Sequence, residues 1–117
     1  MPHNQAIALD ALPAPVTAYL TAHRHHDTTA QLRLFTPGAT VTDDGHTHTG
    51  TAAITAWMNR TAAAYTYTIT PTAAEHTGDD RCTVTQHLTG DFPGGAADLR
   101  FHFTLTADLI DHLVIEP

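Results

Sequence analysis

The chain has 117 residues and a formal net charge of -7, with its 10 histidines neutral, five arginines and no lysine. A nucleic-acid or anionic-membrane surface needs clustered positive charge, so this balance argues against both partners. The apolar share of 42% suits one domain with a modest core, no apolar run is long enough to span a bilayer, and the lone cysteine, Cys82, allows neither an internal disulfide nor a thiolate metal cluster.

The N-terminal run Met1-Pro2-His3-Asn4-Gln5 lacks the basic region of a signal peptide, which makes the cytoplasm the default expectation. Asp10 is placed to cap a first helix, with Pro13 in its opening turn. Leu12, Val16, Tyr19, Leu20 and His23 recur at helical spacing and form one buried stripe. That helix should fade at His25-His26-Asp27. Thr28, with Gln31 three residues on, is a capping-box pattern that opens a second short helix through Leu32, Leu34 and Phe35. Pro37-Gly38 should stop it, and a short strand should then carry Val41 and Asp43 on one face and Thr40 and Thr42 on the other. Asp43-Asp44-Gly45 reads as a turn.

A third helix is expected from Thr51 to Ala63, with Ile54, Trp57 and Met58 on its buried face. The alternation in Tyr65-Thr66-Tyr67-Thr68-Ile69-Thr70 is the clearest strand signal. Gly78-Asp79-Asp80 marks a hairpin. Three further strands follow, over residues 81–89, 99–106 and 110–115. In the first, Cys82, Val84, Gln86 and Leu88 share a face. In the second, Phe101 and Phe103 point inward, while Arg100 and His102 point out. Three helices followed by an antiparallel meander predict an α+β domain, residues 1–117, in which helices pack on a strongly curved, mainly antiparallel sheet around a cone-shaped cavity.

Asp43 shares its face with apolar residues, so it is either a solvated strand-end acid that caps the following turn or a carboxylate facing a pocket. Tyr19 on an apolar stripe is either a core tyrosine or a hydroxyl donor. Gln86 either orients a ligand or bonds the third helix. The apolar Phe35, Val41, Trp57, Met58, Tyr67, Phe101 and Phe103 are core residues that can also line the hollow and bind substrate. The histidine pairs His23/His26 and His46/His48 suggest a metal, but zinc needs three or four convergent ligands, and no third is evident. No metal or other cofactor is expected. A serine nucleophile is impossible, because the chain has no serine. Cys82 has no evident activating base.

The order of elements resembles the SnoaL-like branch of the nuclear transport factor 2-like superfamily. The stretches that carry the resemblance are Val16-Thr17-Ala18-Tyr19-Leu20, Leu34-Phe35 through Ala39-Thr40-Val41-Thr42-Asp43, Gly50-Thr51-Ala52-Ala53-Ile54, Gly90-Asp91-Phe92-Pro93-Gly94 and Leu109-Ile110-Asp111-His112-Leu113-Val114-Ile115. The fold hosts isomerases, polyketide cyclases, dehydratases, epoxide hydrolases and non-catalytic binders. By similarity to ketosteroid isomerase, Asp43 falls at the catalytic base and Tyr19 at the oxyanion-stabilising tyrosine. Phe101 falls where that enzyme has a protonated acid. The resemblance thus implies an acid–base enzyme acting on a hydrophobic, oxygenated small molecule by isomerisation, cyclisation or elimination next to a carbonyl. Without the second acid, a ligand-binding or interaction domain is the alternative, with epoxide hydrolysis as a third reading. It also implies a homodimer through the outer sheet face, where His87, Arg100 and His102 lie.

Overall fold

The computed structural model describes residues 5–117; Met1-Pro2-His3-Asn4, read above for a targeting signal, lies outside them. Among these residues are three α-helices, α1 (Ala14–Arg24), α2 (Thr28–Leu32) and α3 (Thr51–Ala64). There are seven strands: β1 (Gln5–Ile7), β2 (Phe35–Asp43), β3 (His46–Thr49), β4 (Tyr67–Gly78), β5 (Arg81–Gly90), β6 (Ala96–Thr106) and β7 (Leu109–Glu116). They form one sheet in the order β1-β4-β5-β6-β7-β2-β3. Every neighbouring pair is antiparallel except β2 with β7.

The meander from β4 to β7 is the predicted one, and its strand registers place Phe101 and Phe103 in the core, each 1% exposed. Ladder shifts occur at Phe35/Thr40, Pro71/Ala73, His76/Gly78 and Thr104/Leu105. Each such irregularity bends its strand and adds twist, so the sheet curls. The helices fill the concave side. Val16, Tyr19, Val41, Ile54, Val84, Ile110 and Leu113 meet there with no exposed surface. No helix among the described residues is long and apolar enough to cross a membrane.

Several local expectations are corrected. Asp10 lies in a separate 3-10 turn, Leu9–Ala11, and α1 starts after Pro13 with no side-chain cap. Pro15 sits in the first turn instead, where its missing N–H costs no helical hydrogen bond. The cap of α2 is Asp27, whose carboxylate accepts from the Ala30 N–H at 3.0 Å, so Thr28 is the first helical residue rather than the cap. That helix ends at Leu32, and Phe35 already belongs to β2. Pro37 and Gly38 do not end a helix; they sit in the bulged part of β2, where a missing N–H breaks no ladder. Asp44 and Gly45 both adopt left-handed backbone, as a two-residue hairpin requires, and the turn leads into β3, a strand the sequence did not announce. β1 was also unforeseen, and β4 continues past Pro71 through its ladder shift to Gly78.

On the outer sheet face His87 and His102 each have a carboxylate partner. His87 Nδ1 lies 2.7 Å from Asp98 Oδ1, and His102 Nε2 lies 3.0 Å from Glu116 Oε1, which also meets Arg100 at 3.4 Å.

Candidate active site

A cavity of about 330 Å³ opens between the helices and the concave sheet face. Asp43 brings a carboxylate to its wall from the end of β2, beside Ile115 of β7. The strand alternation set by buried Ala39 and Val41 turns Asp43 inward. Its Oδ2 accepts a hydrogen bond from Trp57 Nε1 at 3.0 Å. Trp57 is carried there by the buried face of α3, and His48 stacks on its ring at 6.1 Å. The carboxylate therefore keeps an oxygen free of side-chain partners, and no arginine lines the cavity among the described residues.

A second polar group faces the same space. Tyr67, at the start of β4, has its hydroxyl 3.1 Å from His23 Nε2. His26 Nε2 donates to the Tyr67 backbone carbonyl at 3.2 Å. The end of α1 explains how two histidines three residues apart reach one tyrosine. His26 has left-handed backbone, its N–H donates to His23 O at 3.0 Å, and the Asp27 N–H donates to Ala22 O at 2.9 Å. This is a Schellman closure with histidine where glycine is usual. It folds His26 back over the Tyr67 ring, 5.1 Å away at 76°. Burial, helped by nearby His26, pushes His23 down to about 4, so its ring is neutral at neutral pH. Burial also raises the Tyr67 hydroxyl, with the charge of Asp43 adding to it.

Of the side chains singled out from the sequence, Asp43, Trp57, Met58, Tyr67 and Phe101 line the cavity. Tyr19, Phe35, Val41, Gln86 and Phe103 are buried in the core behind its wall. Tyr19 packs edge-on against Phe35 at 5.9 Å and Phe103 at 5.5 Å. Its enclosed hydroxyl has no hydrogen-bond partner among the described residues. Burial raises its pKa strongly, with the charges of Tyr67 and Asp43 adding. Gln86 is fully buried, and neither amide atom has a hydrogen-bond partner among the described residues. It does not bond α3, although its neighbours Leu88 and Leu99 reach the cavity. The sequence reading assigned no site role to His23, Tyr65 or Phe92, all of which line the cavity. His23 was legible as inward from the Tyr19 stripe. Phe92 lies in a turn that carries no periodic signal, and its ring meets Tyr65 edge-on at 6.1 Å. Among the described residues no group of three or more His, Cys, Asp or Glu is gathered for a metal ion.

The comparisons agree with this architecture. The SnoaL-like domain family model matches residues 16–116. A solved structure described as a candidate polyketide cyclase from Sinorhizobium meliloti is 32% identical, with a TM-score of 0.88, and the match covers 94% of this chain and all of that one. A Mycobacterium tuberculosis protein in complex with estradiol-17beta-hemisuccinate is 19% identical over 88% of this chain and 90% of its own, with a TM-score of 0.73. An epoxide hydrolase/cyclase-like enzyme, SalBIII, of pyran ring formation in the polyether salinomycin is 22% identical over 86% of this chain and 85% of its own, with a TM-score of 0.74. The last two similarities speak for the fold alone. No curated protein matches the sequence. With its curled, mostly antiparallel sheet on three helices and a family match over nearly its whole length, the chain belongs to the SnoaL-like family, within the nuclear transport factor 2-like fold.

Proposed function

We propose that the protein is a small acid–base enzyme in which Asp43 takes a proton from the carbon next to a carbonyl of a hydrophobic, oxygenated small molecule. The observation that carries this reading is a carboxylate on the wall of an otherwise largely apolar cavity, oriented by Trp57 and unpaired with any arginine. A carboxylate fixed in direction on the wall of a substrate-sized cavity is placed to act as a general base. The proton moves to Asp43 and the electron pair into the carbonyl as an enolate. Where a β,γ double bond extends the enolate, return of the proton to the γ-carbon gives isomerisation; attack of the enolate carbon on a second carbonyl gives cyclisation, and loss of a leaving group from the β-carbon gives elimination. The resemblance assigns the substrate oxygen to Tyr19, whose hydroxyl lies behind the cavity wall. The similar Sinorhizobium meliloti protein, a candidate polyketide cyclase, is compatible with the cyclisation branch of this chemistry.

The test is proton exchange on a simple apolar ketone. 2-Tetralone in deuterated buffer, followed by NMR, should lose its α-protons faster with the protein than without it. Asp43→Asn keeps shape and removes the acceptor, and should slow that exchange by about 10²- to 10⁴-fold. Exchange at the wild-type rate in Asp43→Asn would refute the assignment.

The specific feature favouring a non-catalytic ligand binder is Phe101, which stands on the cavity wall where the resemblance expects a second acid. That reading predicts 2-tetralone binding without exchange. The outer sheet face, with its chain from Thr83 through His102 to Glu116, is the proposed homodimer surface. Light scattering that gives a monomer mass at high concentration would remove it. Free, buried Cys82 needs no oxidising compartment, and the proposed location is the cytoplasm. Recovery of the native protein from a secreted fraction would contradict this.

A further inference from the structure

The 3.1 Å contact between Tyr67 Oη and His23 Nε2 holds one proton, and its owner decides what Tyr67 can do. Two arrangements are possible for a neutral imidazole, which has one N–H and one lone pair. If Tyr67 donates, His23 must carry its own proton on Nδ1. That atom is enclosed and has no partner among the described residues. A buried donor left unmade costs about 1–3 kcal/mol. If Nε2–H donates instead, Nδ1 presents only a lone pair, and a buried acceptor without a partner is the more tolerable state. The second arrangement is therefore favoured, and it leaves the Tyr67 hydroxyl proton uncommitted.

The Tyr67 ring is flanked by His23 and His26, its backbone carbonyl is held by His26, and its side chain lines the cavity. Asp43 does not take the proton: the hydrogen bond of its carboxylate is with Trp57, and none joins it to Tyr67 Oη. Asp43 is nevertheless near enough for its charge to act on the hydroxyl. A hydrogen bond received from His23 also polarises the Tyr67 O–H and strengthens it as a donor.

We propose that Tyr67, rather than Tyr19, is the hydrogen-bond donor to the ligand oxygen in the Asp43 cavity, with His23 as its positioning residue through Nε2–H. Substrate carbon would then lie toward Asp43 and substrate oxygen toward Tyr67, the arrangement that stabilises a forming enolate. The inference deepens the proposed function and rests on its view of the ligand as an oxygenated small molecule. The role of Asp43 as base is tested separately.

Two measurements decide it. Nitrogen-15 NMR of the ligand-free protein should show His23 protonated at Nε2 and bare at Nδ1; protonation at Nδ1 overturns the proposal. In infrared spectra, the carbonyl stretch of bound 2-tetralone should move to lower wavenumber in the wild type and equally in Asp43→Asn. Tyr67→Phe should abolish that displacement, and Tyr19→Phe should keep it. His23→Phe should reduce it, and His23→Gln, whose amide N–H can still reach Oη, should restore part of it. An unchanged carbonyl frequency in Tyr67→Phe, or loss of the displacement in Tyr19→Phe, overturns the assignment. Because no readout here depends on proton exchange, a failed base assignment at Asp43 and a failed donor assignment at Tyr67 give different results.

Discussion

Gly90 ends β5 opposite Tyr67 in the ladder, and its replacement by alanine tests the packing that seats the candidate donor. Its backbone is not left-handed, so alanine could adopt the conformation without strain. Space is the obstacle. A Cβ at Gly90 would lie 2.4 Å from the Thr66 carbonyl oxygen, 2.6 Å from Tyr67 Cβ and 2.8 Å from Tyr67 Cα. These atoms belong to the backbone or to its first side-chain carbon, so no rotamer change relieves the clash. Carbon atoms pack best at about 3.5–4.0 Å, so the start of β4 would have to retreat by about 1 Å. Overpacking of this kind costs about 1–3 kcal/mol. Alanine recovers at most about 1 kcal/mol through its smaller unfolded-state entropy. The net expectation is a loss of about 1–2 kcal/mol, or roughly 4–8 °C in melting temperature for a domain of this size. Gly38→Ala is the internal control. Its added Cβ meets nothing within 4 Å, and its backbone is not left-handed. It should be neutral or stabilising by up to about 1 kcal/mol. Thermal melts followed by circular dichroism should rank Gly38→Ala at or above wild type, and Gly90→Ala well below. Displacement of Tyr67 should also weaken 2-tetralone binding by Gly90→Ala. A Gly90→Ala melt at the wild-type temperature would show that β4 and β5 do not close as tightly as described.

Trp57→Phe removes the N–H that Asp43 accepts at 3.0 Å. A hydrogen bond to a charged group is worth about 1.5–3 kcal/mol, so the denaturation midpoint should fall and tetralone exchange should slow; unchanged values of both would mean the bond is not formed in solution. Gln86→Met keeps volume and removes a buried amide that has no hydrogen-bond partner among the described residues, so it should stabilise by about 1–3 kcal/mol. A destabilised Gln86→Met would show that the amide is hydrogen-bonded in the folded protein. His23 is held neutral, with its pKa lowered from 6.5 to about 4. The unfolded chain therefore gains a proton first, so the stability tied to His23 is complete above about pH 6.5 and is lost as pH falls toward 4. Between pH 7 and 5 the wild type should lose about 2 kcal/mol more than His23→Gln in urea titrations, and equal losses would mean that His23 is not buried as a neutral ring.

Local pattern made much of the fold legible. Ile54, Trp57 and Met58 recur at helical spacing and form the buried face of α3. Alternation along β5 and β6 set which residues face the core, and the hairpin at Asp79-Asp80 followed from turn chemistry. What failed locally had a common cause. Pro37-Gly38 reads as a helix stop, yet both residues are accommodated in a bulged strand because β7 pairs with β2 from far along the chain. Strands β1 and β3 are too short to show a period and exist through their partners. The turn at Ala107-Asp108, where both residues are left-handed, carries none of the glycine that usually marks such a hairpin.

For the site, the sequence alone could say that Asp43, Tyr19, Tyr67, Gln86 and Phe101 point to the same side of their elements. It could not say which of them reach open space. Periodicity reports direction from an element's own axis, whereas a cavity is set by how far a curled sheet stands off from the helices. That distance seals Tyr19 behind Phe35 and Phe103 and leaves Tyr67 at the wall, where the left-handed turn at His26 brings a second histidine against it. Direction is written every two or 3.6 residues along the chain, but depth depends on contacts between residues as far apart as His23 and Tyr67, so only the tertiary structure decides it.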